Sequence, residues 1–180
     1  PKRIKAELIF HDVIRNGSAM IRRKFIVDNK IRYLDGYLGM EDYRFWTDCS
    51  VKGSISNINT ILLYWRNTDS SETNRVQREK RIEREIKYAE IQTNLLKKYG
   101  FCLSDKEMEL FTNCFKEDFH TSFSRQTINE IYTLIKKIIG MAEEMKIDYI
   151  DEFRFVLKSQ LSQKIVYSDL WDDSSNLLVE

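Results

Sequence analysis

A chain of 180 residues that is 42% hydrophobic and 12% aromatic can bury one ample core or two small ones, and its 32% charged residues balance to a net charge of +1. That balance argues against disorder, and no apolar stretch approaches the ~18 residues of a membrane-spanning helix; no signal-peptide pattern is present either. The three cysteines, Cys49, Cys102 and Cys114, are an odd number with no C-x-x-C spacing, so neither a disulfide framework nor a zinc site is indicated and reduced thiols in a cytosolic protein are the simplest reading.

Charge and punctuation divide the chain. Residues 1–68 carry 12 Lys+Arg against 7 Asp+Glu, a net of +5, whereas residues 69–180 carry 17 against 21, a net of −4. The first part is broken by Gly17, Gly36, Gly39 and Gly53, and its start is strand-like. "SAMIRRKFI" reads as a short strand passing into a helix. "MEDYRFWTDCSVKG" reads as a helix with Glu41 and Asp42 in its first turn and Gly53 as its stop. "SISNINTILLYWR" is β-branched and aromatic, which predicts a strand over 60–66.

From Ser70 onward the pattern is helical. Ile82, Ile86, Ala89, Leu96 and Tyr99 fall on one predicted face, Gly100 is a C-terminal stop, and Ser104 with Glu107 matches a capping box. Ile128, Ile131, Ile135, Ile138, Ala142 and Met145 are spaced 3, 4, 3, 4 and 3 residues apart after Ser124. That seam is too short for a free coiled coil and predicts a packed bundle helix. Asp148 can cap a last helix with Phe153, Leu157 and Leu161 inward, ending near Tyr167, and the residues beyond read as frayed apart from Trp171. The sole proline, Pro1, and the strand-like start predict a piece of a longer protein.

Two acids at a helix start accept backbone N–H bonds and suit the positive end of the dipole, which is the plainest reading of Glu41 and Asp42. Adjacent helix positions point about 100° apart, so one acid can brace the turn while the other faces a cleft. His11 and His120 are isolated and read as surface or packing residues. In "RVQREKRIEREIK" the basic residues alternate with Glu79, Glu83 and Glu85, which points to i,i+4 ion pairs on a solvated face and not to nucleic acid.

Taken in order, Asn16-Gly17-Ser18-Ala19-Met20-Ile21-Arg22-Arg23, Arg32-Tyr33-Leu34-Asp35, Glu41-Asp42-Tyr43-Arg44-Phe45-Trp46, Gly53 and Leu62-Leu63-Tyr64-Trp65-Arg66, with Ser70 and Ser71 after them, resemble the second half of the catalytic domain of family 2 glycosyltransferases. The resemblance covers residues 11–74. It implies an α+β, predominantly helical chain: the acceptor-side portion of a GT-A-type α/β domain at residues 1–71, followed by a helical bundle at residues 72–180. It implies an inverting enzyme that moves a sugar from a nucleotide-sugar donor to the hydroxyl of a glycan or lipid-linked acceptor. Asp42 would be the general base and Glu41 would orient the acceptor or Asp42. Ser18 falls in the matching turn and would join the substrate site. Trp46 and Tyr43 would wall the acceptor side or belong to the core. Arg66 would approach the donor phosphates or form a structural ion pair.

Three positions depart from the family pattern: Thr68 and Asn16 stand where histidines are usual, and Asp48 where an arginine is common. No metal ligand is assigned. The chain has no Asp-x-Asp and no G-x-G-x-x-G. The Mg²⁺ or Mn²⁺ of a full-length enzyme would therefore be held outside these residues, and the chain alone would be inactive. The resemblance also implies a cytoplasmic location, at most peripheral to the inner face of the membrane, and self-association of a piece that lacks its other half. The competing expectation is a helical interaction module without catalysis, with an exposed apolar groove along the 128–145 seam.

Overall fold

The computed structural model describes residues 1–64, 66, 79–116 and 123–166, excepting the side chains of 165 and 166. Its elements in chain order are α1 (Lys2–Glu7), a 3₁₀ turn (Asn16–Ser18), α2 (Arg23–Asp28), α3 (Glu41–Lys52), α4 (Arg81–Lys98), α5 (Asp105–Cys114), α6 (Arg125–Glu144) and α7 (Ile150–Val166). No strand occurs among the described residues, and this overturns the expected α+β class and its GT-A-type α/β portion.

The reason is visible at 54–64. Ile58, Ile61, Leu62 and Tyr64 are exposed along an irregular stretch with no neighbouring strand among the described residues. A strand satisfies its N–H and C=O groups only through a partner, so β-branched composition alone does not make one. Ala19 and Arg22 are likewise extended but unpaired before α2 begins. The strand-like start is also helical: Lys2–Glu7 forms α1, and Leu8, Ile9 and Phe10 then plunge into the core.

The remaining helices follow their local signals. The capping box at α5 is complete, with Ser104 Oγ accepting from Glu107 N and Glu107 Oε2 accepting from Ser104 N at 2.9 Å. Ser124 Oγ caps α6 by accepting from Thr127 N at 3.1 Å. Gly100 adopts φ +93°, the left-handed turn that ends α4. The α6 seam residues Ile128, Ile131, Ile135, Ile138 and Ala142 are buried, whereas Met145, the last of the predicted seam, is exposed.

α4 turns a different face inward from the one its isoleucines suggest. Arg84, Tyr88, Ile91 and Leu95 are buried in a 4, 3, 4 spacing, while Ile82 and Ile86 are exposed. Arg81 does pair with Glu85 at 3.0 Å on the solvated face, but Arg84 is an exception to the surface ion-pair reading.

Packing runs α3 on α4, α4 on α5, α5 on α6, α6 on α7, and α7 back on α1. One hydrophobic cluster joins buried side chains from Ala6 to Leu161. Phe10 is central to it, with its ring centroid 4.9 Å from Phe115 and 5.8 Å from Phe111. Burying each such side chain contributes about 1.5–3 kcal/mol. The N-terminal segment is thereby fixed against α4 and the end of α5, which is what brings residues 10–15 beside the start of α3. No helix among the described residues is long and apolar enough to cross a membrane.

Candidate functional site

The loop before α3 needs its glycines. Gly36 and Gly39 have φ of +85° and +76°, the left-handed region that glycine enters without a Cβ penalty. α4 fastens this loop: Arg84 Nη1 donates to the Leu38 carbonyl at 2.9 Å, and Tyr37 Oη donates to Glu90 Oε1 at 2.8 Å. The two carboxylates then divide their tasks. Glu41 Oε1 turns back to accept from Gly39 N at 3.3 Å. Asp42 Oδ1 accepts from Tyr43 N at 2.9 Å, and its Oδ2 makes no hydrogen bond or ion pair among the described residues.

The aromatic residues behind them anchor the helix. Tyr43 is buried and donates to the Leu8 carbonyl at 2.9 Å. Phe45 stacks on Tyr33 with centroids 4.2 Å apart, and Tyr33 Oη donates to Asn16 Oδ1 at 2.8 Å. Three of the segments that carry the family resemblance are thus joined around α3. Asp48, one of the departures, is a structural acid that pairs with Arg44 at 3.3 Å and with Lys98.

Asp42 lines a cleft of about 460 Å³ between the 10–15 segment, the start of α3, α4, the end of α5 and α7. Tyr43 contributes to its wall. Its charged lining is Asp12 and Asp42 against Arg15, Arg84, Lys116 and Lys164, with His11, Gln160 and Gln163 completing the polar surface. Lys164 is buried and donates to the Lys116 carbonyl at 2.7 Å, tying α7 to the end of α5.

Burial pushes the Asp12 carboxyl up to about 6, and the charge of Asp42 adds to that; the Ile14 N–H, donating at 2.9 Å, and Arg15 oppose it. Burial also lowers the His11 pKa, with Glu7 acting against it, which favours the neutral imidazole. Charge at the cleft therefore resides with four cations and two carboxylates.

The other expected residues lie elsewhere. Ser18 and Trp46 line a second recess of about 520 Å³ with the 55–63 segment, and Arg15 borders both spaces. Ser18 Oγ donates to the Arg15 carbonyl at 3.0 Å. Trp46 is buried, and its Nε1 has no acceptor among the described residues, an unsatisfied donor that costs about 1–3 kcal/mol. Glu41 borders neither recess, and Arg66 is exposed. Trp65, Asn67, Thr68, Ser70, Ser71, His120, Tyr167 and Trp171 fall outside the described residues.

These residues do not fit a divalent cation. Asp12 and Asp42 are two hard oxygen donors among four cations, and no group of three or more His, Cys, Asp or Glu among the described residues is placed to hold a metal ion. No family model matches the chain, and neither a curated protein nor a solved structure matches it.

Asp12, Arg15, Lys116 and Lys164 escaped the sequence reading, as did the place of His11 in the cleft. Asp12 and Arg15 lie more than a hundred residues before Lys116 and Lys164, and only the packing unites them. Arg84 had a legible signal: a charged residue at the first position of the 84, 88, 91, 95 seam.

Proposed function

We propose that residues 1–71 supply the acceptor side of an inverting glycosyltransferase and that Asp42 is its general base. The observation that carries this is the division of labour at the start of α3, where Glu41 braces the turn while Asp42 lines the cleft with Oδ2 uncommitted. The ordered motif set from Asn16 to Arg66 supports the same chemistry. In the reaction, Asp42 takes the proton of an acceptor hydroxyl as that oxygen bonds to the anomeric carbon of a nucleotide sugar. The bond from the anomeric carbon to the diphosphate oxygen breaks, and the nucleoside diphosphate leaves with the electron pair, inverting the centre. General-base assistance of this kind is worth ~10²–10⁴-fold and needs the carboxylate within hydrogen-bond reach of the hydroxyl.

The chain carries neither an Asp-x-Asp nor a G-x-G-x-x-G with which to hold a donor's metal or phosphates, so no donor residue is assigned. The test is transfer by the full-length protein with a panel of UDP- and GDP-sugars and Mg²⁺ or Mn²⁺, with product configuration read by NMR. Inverted product supports the reading. A retained configuration, or no transfer from any donor, overturns it.

A further inference from the structure

The charges around Asp42 say more than a neutral sugar requires. Arg15, Arg84, Lys116 and Lys164 outnumber the cleft's two carboxylates, and neither Asp12 nor Asp42 forms an ion pair with any of them among the described residues. Arg84 and Lys164 are partly committed, to the Leu38 and Lys116 carbonyls respectively. Arg15 and Lys116 are more available: Arg15 is exposed, Lys116 half-buried, and neither side chain has a hydrogen-bond or ion-pair partner among the described residues. They enter the cleft from distant parts of the sequence, one from the segment after Phe10 and the other from the end of α5. The volume of about 460 Å³ lies within the ~300–1,000 Å³ typical of small-molecule sites. Cations lining a recess raise the local concentration of anions and reward a ligand whose negative group they meet directly.

We propose that the acceptor taken by this cleft is an anionic saccharide, bearing a carboxylate or a phosphate, and that Arg15 and Lys116 recognise that group while Asp42 faces the reacting hydroxyl. The assignment rests on the reading of Asp42 as the base. Arg15 supplies a planar, permanently charged fork and Lys116 a mobile point charge, a pair that accommodates either anion.

The chain is titrated by NMR with methyl β-D-glucuronide, with a hexose phosphate, and with methyl β-D-glucoside as the neutral control. At least one anionic probe is expected to bind roughly ten-fold or more tighter than the glucoside, a preference that added salt weakens. Arg15→Ala combined with Lys116→Ala should abolish that preference, with the circular dichroism unchanged because neither side chain is in the core. Equal binding of all three probes overturns the proposal, as does failure of both anionic probes to bind or a preference that survives the double substitution. Phosphate-only or carboxylate-only preference supports it and identifies the acceptor's anion. The Asp42→Asn variant separates the two readings. A charge preference with turnover indifferent to Asp42→Asn leaves the anion site standing and sinks the transferase. Turnover that requires Asp42 without a charge preference does the reverse.

Discussion

Replacing Asp12 by Asn keeps a side-chain oxygen for the Ile14 N–H but removes a carboxylate that has to ionise inside the cleft. In the folded chain burial, with Asp42 adding to it, moves this carboxyl from 3.8 to about 6. The native state therefore binds more protons than the unfolded state between those values. Stability contributed by the protonated form is present below about pH 4, is lost as pH rises through about 6, and stays lost above it. Two pH units at ~1.36 kcal/mol each set a ceiling of about 3 kcal/mol, and the side chain's remaining contact with solvent reduces this to about 2 kcal/mol.

Asp12→Asn should then be more stable than the native chain by about 2 kcal/mol at neutral pH, with the difference closing toward about pH 4. Urea unfolding followed by circular dichroism across that range measures it. Subtracting the two curves removes the opposite slope of Glu107, which Lys137 chiefly holds down to about 2. A variant less stable than the native chain at neutral pH, or a difference that does not change with pH, refutes the reasoning. Because Asp42 raises the Asp12 value, Asp42→Asn should lower the Asp12 midpoint in a carboxyl-carbon NMR titration.

Gly53→Ala would place a Cβ 2.7 Å from the Phe25 Cε2, and denaturant melts should show a loss of about 1–3 kcal/mol from overpacking. Ser104→Ala removes the acceptor for Glu107 N and should cost about 1 kcal/mol, read the same way, while Ser104→Asp largely keeps the cap. The exposed run of Ile58, Ile61, Leu62 and Tyr64 predicts a concentration-dependent mass above the 21.6 kDa of one chain in light scattering, lowered by Ile61→Ser with Leu62→Ser. A monodisperse monomer at all concentrations would count against it.

Local signals with their own physics were legible before the fold was known. The Ser104–Glu107 box, the Gly100 turn and the 128–145 seam, buried as far as Ala142, each depend on residues a few positions apart. The bounds of α3, from Glu41 to the Gly53 stop, were legible for the same reason. The 60–66 strand was not, because strand formation depends on a partner elsewhere and residues 54–64 have none among the described residues. The buried face of α4 was misread because two isoleucines outweighed an arginine, although Arg84 gains a carbonyl partner from the loop before α3. At the candidate site Asp42 could be singled out from its neighbours. Its surroundings could not: Asp12, Lys116 and Lys164 meet only because Phe10 is locked between α4 and α5, where Tyr88 Oη and Gln92 Nε2 both donate to its carbonyl.

The most direct measurement is the turnover number of the Asp42→Asn variant in the full-length protein, beside its affinity for donor and acceptor. A fall of ~10²–10⁴-fold with both affinities retained is the predicted result, since the amide keeps the acceptor geometry and loses the proton acceptor. Turnover within a few-fold of the native enzyme would contradict the assignment and return Glu41 and Asp42 to an acidic helix start.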